Sequence, residues 1–347
     1  MTCRSLAAVL LLALHASAGP LAAAERVELA MGTTLRVMVE GDAQTPAVDR
    51  AVAEVHRLEA VLTTYRAESL VSRLNRRDPS LPTFREGYGT WYEIPRELHE
   101  ILRECRRMHE LSEGSFDPTV HAFMEAWGFE TDAPRVPSKK RLSAALAGVG
   151  LKNVVIEDNP PRLRFLHPAT KLNFGGVGKG FAMDRVAAIL KEEGMASGVI
   201  EFGRSYLAWG TPFETALAHP GDPRKTLAVL VLRDGAVSVS SQREQSFRRG
   251  GKSYGHILDP RTGRPAESGL LGVAVLAPTA SVADALSTGL FVLGFEKALR
   301  VTESLAGVEA MFVMRAEVAE EAVEDSVGDV RFTSGFRHKE EAHGSAQ

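Results

Sequence analysis

The sequence predicts an α+β fold with mixed, largely antiparallel sheets and packed helices. Strand-like segments come in adjacent groups rather than in strict alternation with helices, which favours antiparallel pairing over a doubly wound parallel sheet. The chain has 347 residues, of which 44% are hydrophobic and 24% charged. Those values are ordinary for a soluble globular protein with one large domain or two smaller ones.

The first half of the chain alternates clear strand and helix patterns. Apolar residues at every second position predict a half-buried strand, and apolar residues at three- and four-residue spacing predict amphipathic helices. Pro46 and Ser138 are suitable first residues or caps, and Gly114 is a suitable stop. The predicted elements are a strand over Thr33–Val39, helices over Val48–Leu62, Leu98–Leu111 and 138–146, and strands over Asn153–Ile156 and Arg162–Leu166.

The second half is richer in strands. Its pattern predicts strands over Gly198–Leu207, Thr215–Ala218, Leu227–Leu232, Val237–Ser240, Leu270–Leu276 and Val308–Met314, with helices over Phe181–Leu190, Ser281–Leu293 and Phe295–Ala306. From residue 317 to residue 347 the chain is acidic and loosely patterned, and we expect a partly disordered tail there. We expect the folded domain to occupy residues 25–316.

Residues 1–24 fit a secretory signal peptide. Arg4 precedes a short apolar run, Leu6–Leu14, and small residues at Ala22–Ala24 suit a cleavage site. The run is too short for a comfortable membrane span. We therefore expect an exported, periplasmic protein without a stable membrane span after cleavage, or one associated with the inner membrane if the segment is retained. Cleavage would leave Cys105 as the single thiol, which excludes an internal disulfide.

The formal net charge of −3 gives no support for a nucleic-acid partner. The most informative segment is instead Asn173–Gly180, which holds four glycines and a lysine ahead of an amphipathic helix. Backbone N–H groups at such a helix start can cradle a phosphate. The P-loop pattern fails because its first glycine is Asn173 and its Ser/Thr is Gly180, and no Rossmann fingerprint is present. A turn that binds nothing remains an equal alternative from this segment alone.

Two other segments carry candidate chemistry. His256 precedes the turn signal Asp259-Pro260, where its ordinary pKa would suit a general base, although a satisfied or surface histidine is the alternative. Asp284 and Thr288 are four residues apart, so on a helix they share a face and could offer oxygens to Mg2+. Alternatively, Ser281 and Asp284 form a capping box. Tyr65 could stack on a flat ring or close the core.

These segments together resemble the ApbE family, the FAD:protein FMN transferases. The resemblance covers about Val27 to Met314. It rests on motifs in a fixed order: Met31-Gly-Thr33, Tyr65-x-x-x-Ser69 with Leu74-Asn75, Gly114–Val120, the Gly-rich run, His256–Gly263 and Ala283–Thr288. Among them His256-Ile-Leu-Asp-Pro-Arg-Thr-Gly263 and Ala283-Asp-Ala285 are the most specific.

The resemblance implies Mg2+-dependent transfer of FMN from FAD to a threonine or serine hydroxyl of a target flavoprotein, with release of AMP. It also leaves open FAD hydrolysis to FMN and AMP, or flavin binding without catalysis. It implies a metal site at the Gly176 carbonyl, Asp284 and Thr288, and a base at His256. The implied flavin contacts are Met31, Tyr65, Ser115, Phe116, Asp117, Asn173, Lys179 and Ile257.

Three departures from the family pattern fall in the implied cofactor loops. Asn173 stands where the family usually has an aspartate. The segments Glu201–Ser205 and Ser238–Arg243 replace the family's Asn-x-Gly-Gly-Asp and Ser-Thr-Ser-Gly. The implied metal pair and His256 are retained, so the departures bear on nucleotide affinity and on the balance between transfer and binding.

Overall fold

A computed structural model describes residues 23–40, 45–86, 89–219, 222–242, 245–316 and 327–337. Its helices are α1 Pro46–Leu62, α2 Leu70–Asn75, α3 Arg96–Leu111, α4 His121–Trp127, α5 Lys139–Leu146, α6 Gly178–Glu192, α7 Ala280–Leu293 and α8 Phe295–Glu303. Its strands are β1 Ala23–Ala30, β2 Thr33–Glu40, β3 Thr83–Glu86, β4 Gly89–Glu93, β5 Val154–Asp158, β6 Pro161–Phe165, β7 Gly198–Phe202, β8 Ser205–Trp209, β9 Phe213–His219, β10 Asp222–Leu232, β11 Gly235–Ser241, β12 Ser246–Arg249, β13 Lys252–Gly255, β14 Leu270–Ala277, β15 Glu309–Arg315 and β16 Val327–Phe332.

The predicted fold class is confirmed. Eight strands form the main sheet in the order β1-β2-β7-β8-β11-β14-β15-β16, and each neighbouring pair is antiparallel. A second antiparallel sheet has the order β3-β4-β6-β5, and the strand pairs β9-β10 and β12-β13 each form a hairpin. In the described residues no helix is long and apolar enough to cross a membrane.

Helices α6 and α7 pack against each other beside the main sheet, and their N-terminal ends position residues of the candidate site. Helix α7 lies on β11 and β14, and α1 covers the other side of α6. Every residue of α7 except Thr288 is buried. The two helix N-termini meet so closely that a Cβ on Gly180 would lie 2.2 Å from the carbonyl oxygen of Ala280. Asp184 of α6 accepts the N–H groups of Ala280 and Ser281, which fixes the start of α7.

Replacing Gly180 by alanine is expected to destabilise the fold by about 1–3 kcal/mol, the usual cost of overpacking. The backbone of α7 cannot retreat without moving the cleft residues it carries. Gly178→Ala is the matched control, because its added Cβ would meet nothing closer than Phe174 Cβ at 3.8 Å. Urea unfolding of both variants measures the difference. Equal stability of the two would contradict the close helix contact.

The sequence predictions differ from the structure in a few places. The strand predicted over Gly198–Leu207 is a hairpin of β7 and β8, because Gly203 at φ +64° turns the chain. The capping box was wrong: Thr279 caps α7 and accepts the N–H of Val282, which leaves the Asp284 carboxylate for other partners. Several short elements were not predicted: α2, α4, β1, β3, β4, β12 and β13.

Strand β16 pairs with β15 inside the segment predicted as the tail. β16 has only a few residues in an alternating pattern, and it follows an acidic stretch, so the sequence gives no clear strand signal at this position. The predicted signal core lies outside the described residues, as do residues 317–326 and 338–347. The division into signal, domain and tail stays a prediction.

Candidate active site

A cleft of about 910 Å³ runs along the edge of the main sheet and the starts of α6 and α7. It brings together residues from distant segments of the chain, from Met31 to Thr288. All twelve residues that the sequence analysis named as site candidates line it: Met31, Tyr65, Ser115, Phe116, Asp117, Asn173, Gly176, Lys179, His256, Ile257, Asp284 and Thr288.

The Asp284 carboxylate lies where α6 and α7 begin, and it is 4% exposed. Its Oδ2 accepts the backbone N–H of Gly180 at 3.1 Å, and its Oδ1 accepts the hydroxyl of Ser238 at 3.2 Å. Lys179 Nζ is 3.4 Å from Oδ1. Burying a carboxylate is costly unless it is paired and hydrogen-bonded. The surrounding donors therefore stabilise the negative charge of the Asp284 carboxylate at one end of the cleft, which we call the inner end.

Thr288 lies one turn further along α7, beside the Gly-rich loop. Its hydroxyl is 3.2 Å from the Ser240 hydroxyl and 3.4 Å from the Asp284 carbonyl oxygen. A Cβ on Gly176 would lie 3.2 Å from Thr288 Oγ1 and 3.3 Å from the ring of Phe116. Glycine at position 176 therefore lets the loop backbone approach the α7 face closely. The groups gathered here offer only oxygen atoms as ligands.

His256 is fixed by one carbonyl oxygen. Its backbone N–H and its Nδ1 are both within hydrogen-bonding distance of the backbone carbonyl oxygen of Gln245, at 3.0 and 3.1 Å. A carbonyl only accepts, so Nδ1 carries the proton and Nε2 holds the lone pair. Burial is the main cause that lowers the pKa of His256 to about 4, and the nearby Lys179 cation acts in the same direction. The imidazole is therefore neutral at pH 7 and able to accept a proton.

The loop at residues 115–117 is stabilised by its own polar side chains. The Ser115 hydroxyl lies 2.7 Å from the carbonyl oxygens of both Ser112 and Gly289 and can donate its one hydrogen to either. The Asp117 carboxylate accepts the N–H groups of Thr119 at 2.8 Å and Leu151 at 3.2 Å. These bonds shape the cleft wall, and the flavin contacts predicted for Ser115 and Asp117 stay predictions.

Three of the predicted flavin contacts in the cleft are apolar or aromatic. Met31 occupies the turn between β1 and β2 with φ +46°, and Ile257 is buried beside His256. Tyr65 follows α1 and is 69% exposed. The exposed ring means that Tyr65 does not close the core, which had been the alternative. A flat ligand could therefore reach the Tyr65 ring from solvent.

Comparison with known proteins identifies the family. The model of the ApbE family matches residues 31–312. The chain belongs to the ApbE family. The FAD:protein FMN transferase of Haemophilus influenzae is 31% identical over 291 residues, 79% of this chain and 81% of the relative. That of Treponema pallidum is 29% identical over 309 residues, 83% of each chain.

Solved ApbE structures share the fold. The ApbE protein of Thermotoga maritima superposes with a TM-score of 0.75 at 28% identity, covering 85% of this chain and 97% of its own. The apo form of the flavinyl transferase ApbE from Pseudomonas stutzeri gives a TM-score of 0.74 at 30% identity, covering 89% and 95%. The resemblance inferred from the motifs is thereby confirmed.

The departures from the ApbE pattern lie in the cleft. Asn173 donates to Glu130 Oε1 at 2.7 Å and accepts the Gly175 N–H at 2.8 Å. Arg204 and Ser205 line the opposite wall, where the Ser205 hydroxyl lies 2.8 Å from that of Ser238. Arg243, the last residue of the third departure, lies outside the described residues.

Several cleft residues were not identified individually from the sequence. Glu130, Thr64, Ser240 and Gln245 line the cleft, and Ser238 bonds Asp284 from β11. Ser238 and Ser240 fall in the third departure from the family pattern, whereas Glu130, Thr64 and Gln245 belong to no motif, and their partners lie far away in the chain. Only the tertiary fold brings them to the site, so no spacing in the sequence could have identified them.

Proposed function

We propose that the protein transfers FMN from FAD to a threonine or serine hydroxyl of a target flavoprotein and releases AMP, with Mg2+ as cofactor. The observation that carries the proposal is the convergence of Lys179, His256, Asp284 and Thr288 on one cleft. The names of the ApbE relatives support the same activity. The signal-like residues 1–24 support a periplasmic site of action.

The oxygen ligands at the inner end of the cleft fit Mg2+. The described residues contain no cluster of three His, Cys, Asp or Glu side chains that could hold a metal. Mg2+ does not require one, because it commonly takes one or two carboxylates together with substrate phosphates. Asp284, Thr288 and the Gly176 carbonyl would hold it. When bound, Mg2+ neutralises charge that develops on the pyrophosphate.

The residues around this end of the cleft suit phosphoryl transfer. Lys179 lies at the start of α6, where its cation and the helix N-terminus both favour a phosphate. His256 is neutral and can take the proton of the attacking hydroxyl through Nε2. The exposed Tyr65 ring can stack on one of the two aromatic groups of FAD. The protein thus supplies position, charge and a base, which is most of what this chemistry requires.

Transfer can be tested with the purified protein, FAD, Mg2+ and a set of threonine-bearing peptides. We expect AMP and FMN-modified peptide to form in equal amounts, measured by chromatography and mass spectrometry. AMP without any gain in peptide mass would contradict transfer and identify an FAD pyrophosphatase. Bound FAD with no AMP would identify a flavin-binding protein without catalysis. A protein that neither binds nor turns over FAD would refute the proposed function.

A further inference from the structure

Glu130 places a further carboxylate in the cleft, on a segment of the chain separate from that of Asp284. It follows α4, and its side chain is 12% exposed. Its Oε1 accepts the Thr64 hydroxyl at 2.8 Å and the Asn173 amide at 2.7 Å. In the described residues no hydrogen bond reaches Oε2. One oxygen is therefore held by the protein, and the other is available to a ligand in the cleft.

The neighbouring Asn173 is already occupied within the protein. Its Nδ2 bonds Glu130, its Oδ1 accepts the Gly175 N–H, and its own N–H donates to the Pro118 carbonyl at 2.7 Å. Both ends of the amide are thus used. Asn173 links Glu130 to the Gly-rich loop, and the Thr64 hydroxyl donates to the same oxygen. The acid that can act on a ligand in this corner is Glu130.

The surroundings of Glu130 favour a neutral donor as its partner. His121 Nδ1 lies 3.6 Å from Oε1, too far for a good hydrogen bond. A second anion would be repelled here, so the pyrophosphate belongs at the Lys179 end. A hydroxyl or ring N–H group suits the carboxylate, as in a sugar or a heterocycle.

We propose that Glu130 is a ligand-binding residue that accepts a hydrogen bond through Oε2 from a hydroxyl or ring N–H group of the bound dinucleotide. Asn173 and Thr64 are its positioning residues. This inference rests on the proposed function, because it takes a flavin dinucleotide as the ligand. Both halves of FAD carry such donors, so the choice between the flavin half and the adenosine half is left to the experiment.

Glu130→Gln separates ligand contact from positioning. The glutamine can keep Oε1 on Thr64 and Asn173, while its NH2 group replaces the outward acceptor with a donor. A hydrogen bond to a charged group contributes enough that its loss weakens binding by roughly tenfold or more. Glu125→Gln is the matched control, since Glu125 is 44% exposed and pairs with Lys171 outside the cleft lining. Thermal melting of each variant monitors the fold.

Dissociation constants for FAD, FMN and ADP are measured by calorimetry without an acceptor peptide. We expect Glu130→Gln to weaken FAD and one of the two half-ligands by roughly tenfold, and to leave the other half-ligand within about twofold. The affected half-ligand identifies the donor. Unchanged affinities, or an equal loss for FMN and ADP, would overturn the inference. Absence of FAD binding by the unaltered protein would instead overturn the proposed function.

Discussion

Asp284→Asn is expected to reduce FMN transfer and AMP release by at least about a hundredfold, the usual cost of losing one group that stabilises charge in a transition state. The substitution keeps the size of the side chain and removes its charge. That charge is the one carboxylate in the predicted metal set, and it also faces Lys179 at 3.4 Å. The amide can still accept the Gly180 N–H, so the helix contact is retained in part.

Asp184→Asn is the matched control for the Asp284 variant. Asp184 is a half-buried carboxylate at the junction of α6 and α7, but it lies outside the cleft lining and bonds the start of α7. We expect Asp184→Asn to lower the melting temperature while its turnover stays within a few-fold of the unaltered protein. Rates measured across Mg2+ concentrations complete the test. An Asp284→Asn protein with full turnover at low Mg2+ would contradict the assignment.

Several candidate residues of the cleft could be identified from the sequence because their signals are local. Asp284 and Thr288 share a helix face, and His256 precedes a recognisable turn. The partners of these residues could not be predicted. Asp284 bonds Gly180 across 104 positions of the chain and Ser238 across 46. Antiparallel pairing and helix packing decide such contacts, and local periodicity does not encode them.

The prediction of secondary structure from the sequence has the same limit. Long periodic segments such as α1, α3 and α7 were predicted with nearly their observed bounds. The hairpin at Gly203 was missed because only two residues, Gly203 and Arg204, separate β7 from β8, and the two short strands were interpreted as one longer strand. Asn173 shows how tertiary context changes an interpretation: the sequence presents an amide as a departure, whereas the structure joins it to Glu130, 43 residues away.

Replacement of His256 is expected to lower the rate of transfer by about 10² to 10⁴, the usual contribution of general acid–base catalysis. His256→Asn removes the base but leaves a polar group near the Gln245 carbonyl. The base must be neutral to act. Since burial lowers the pKa to about 4, protonation inhibits the enzyme only as the pH approaches 4. We expect the acidic limb of the rate profile near that value rather than near 6.5, the ordinary pKa of histidine.

The lowered pKa of His256 also predicts how the stability of the protein depends on pH. Between pH 6.5 and about 4 the unfolded chain binds a proton at His256 and the folded protein does not. Protonation therefore favours unfolding, and the contribution of His256 to the free energy of unfolding falls as the pH falls through that window. Urea unfolding from pH 7.5 to 4.5 measures the slope, which His256→Asn should reduce. His56→Asn is the control, because His56 is 47% exposed on α1. An equal slope in both variants, together with an acidic limb near pH 6.5, would contradict the lowered pKa of His256.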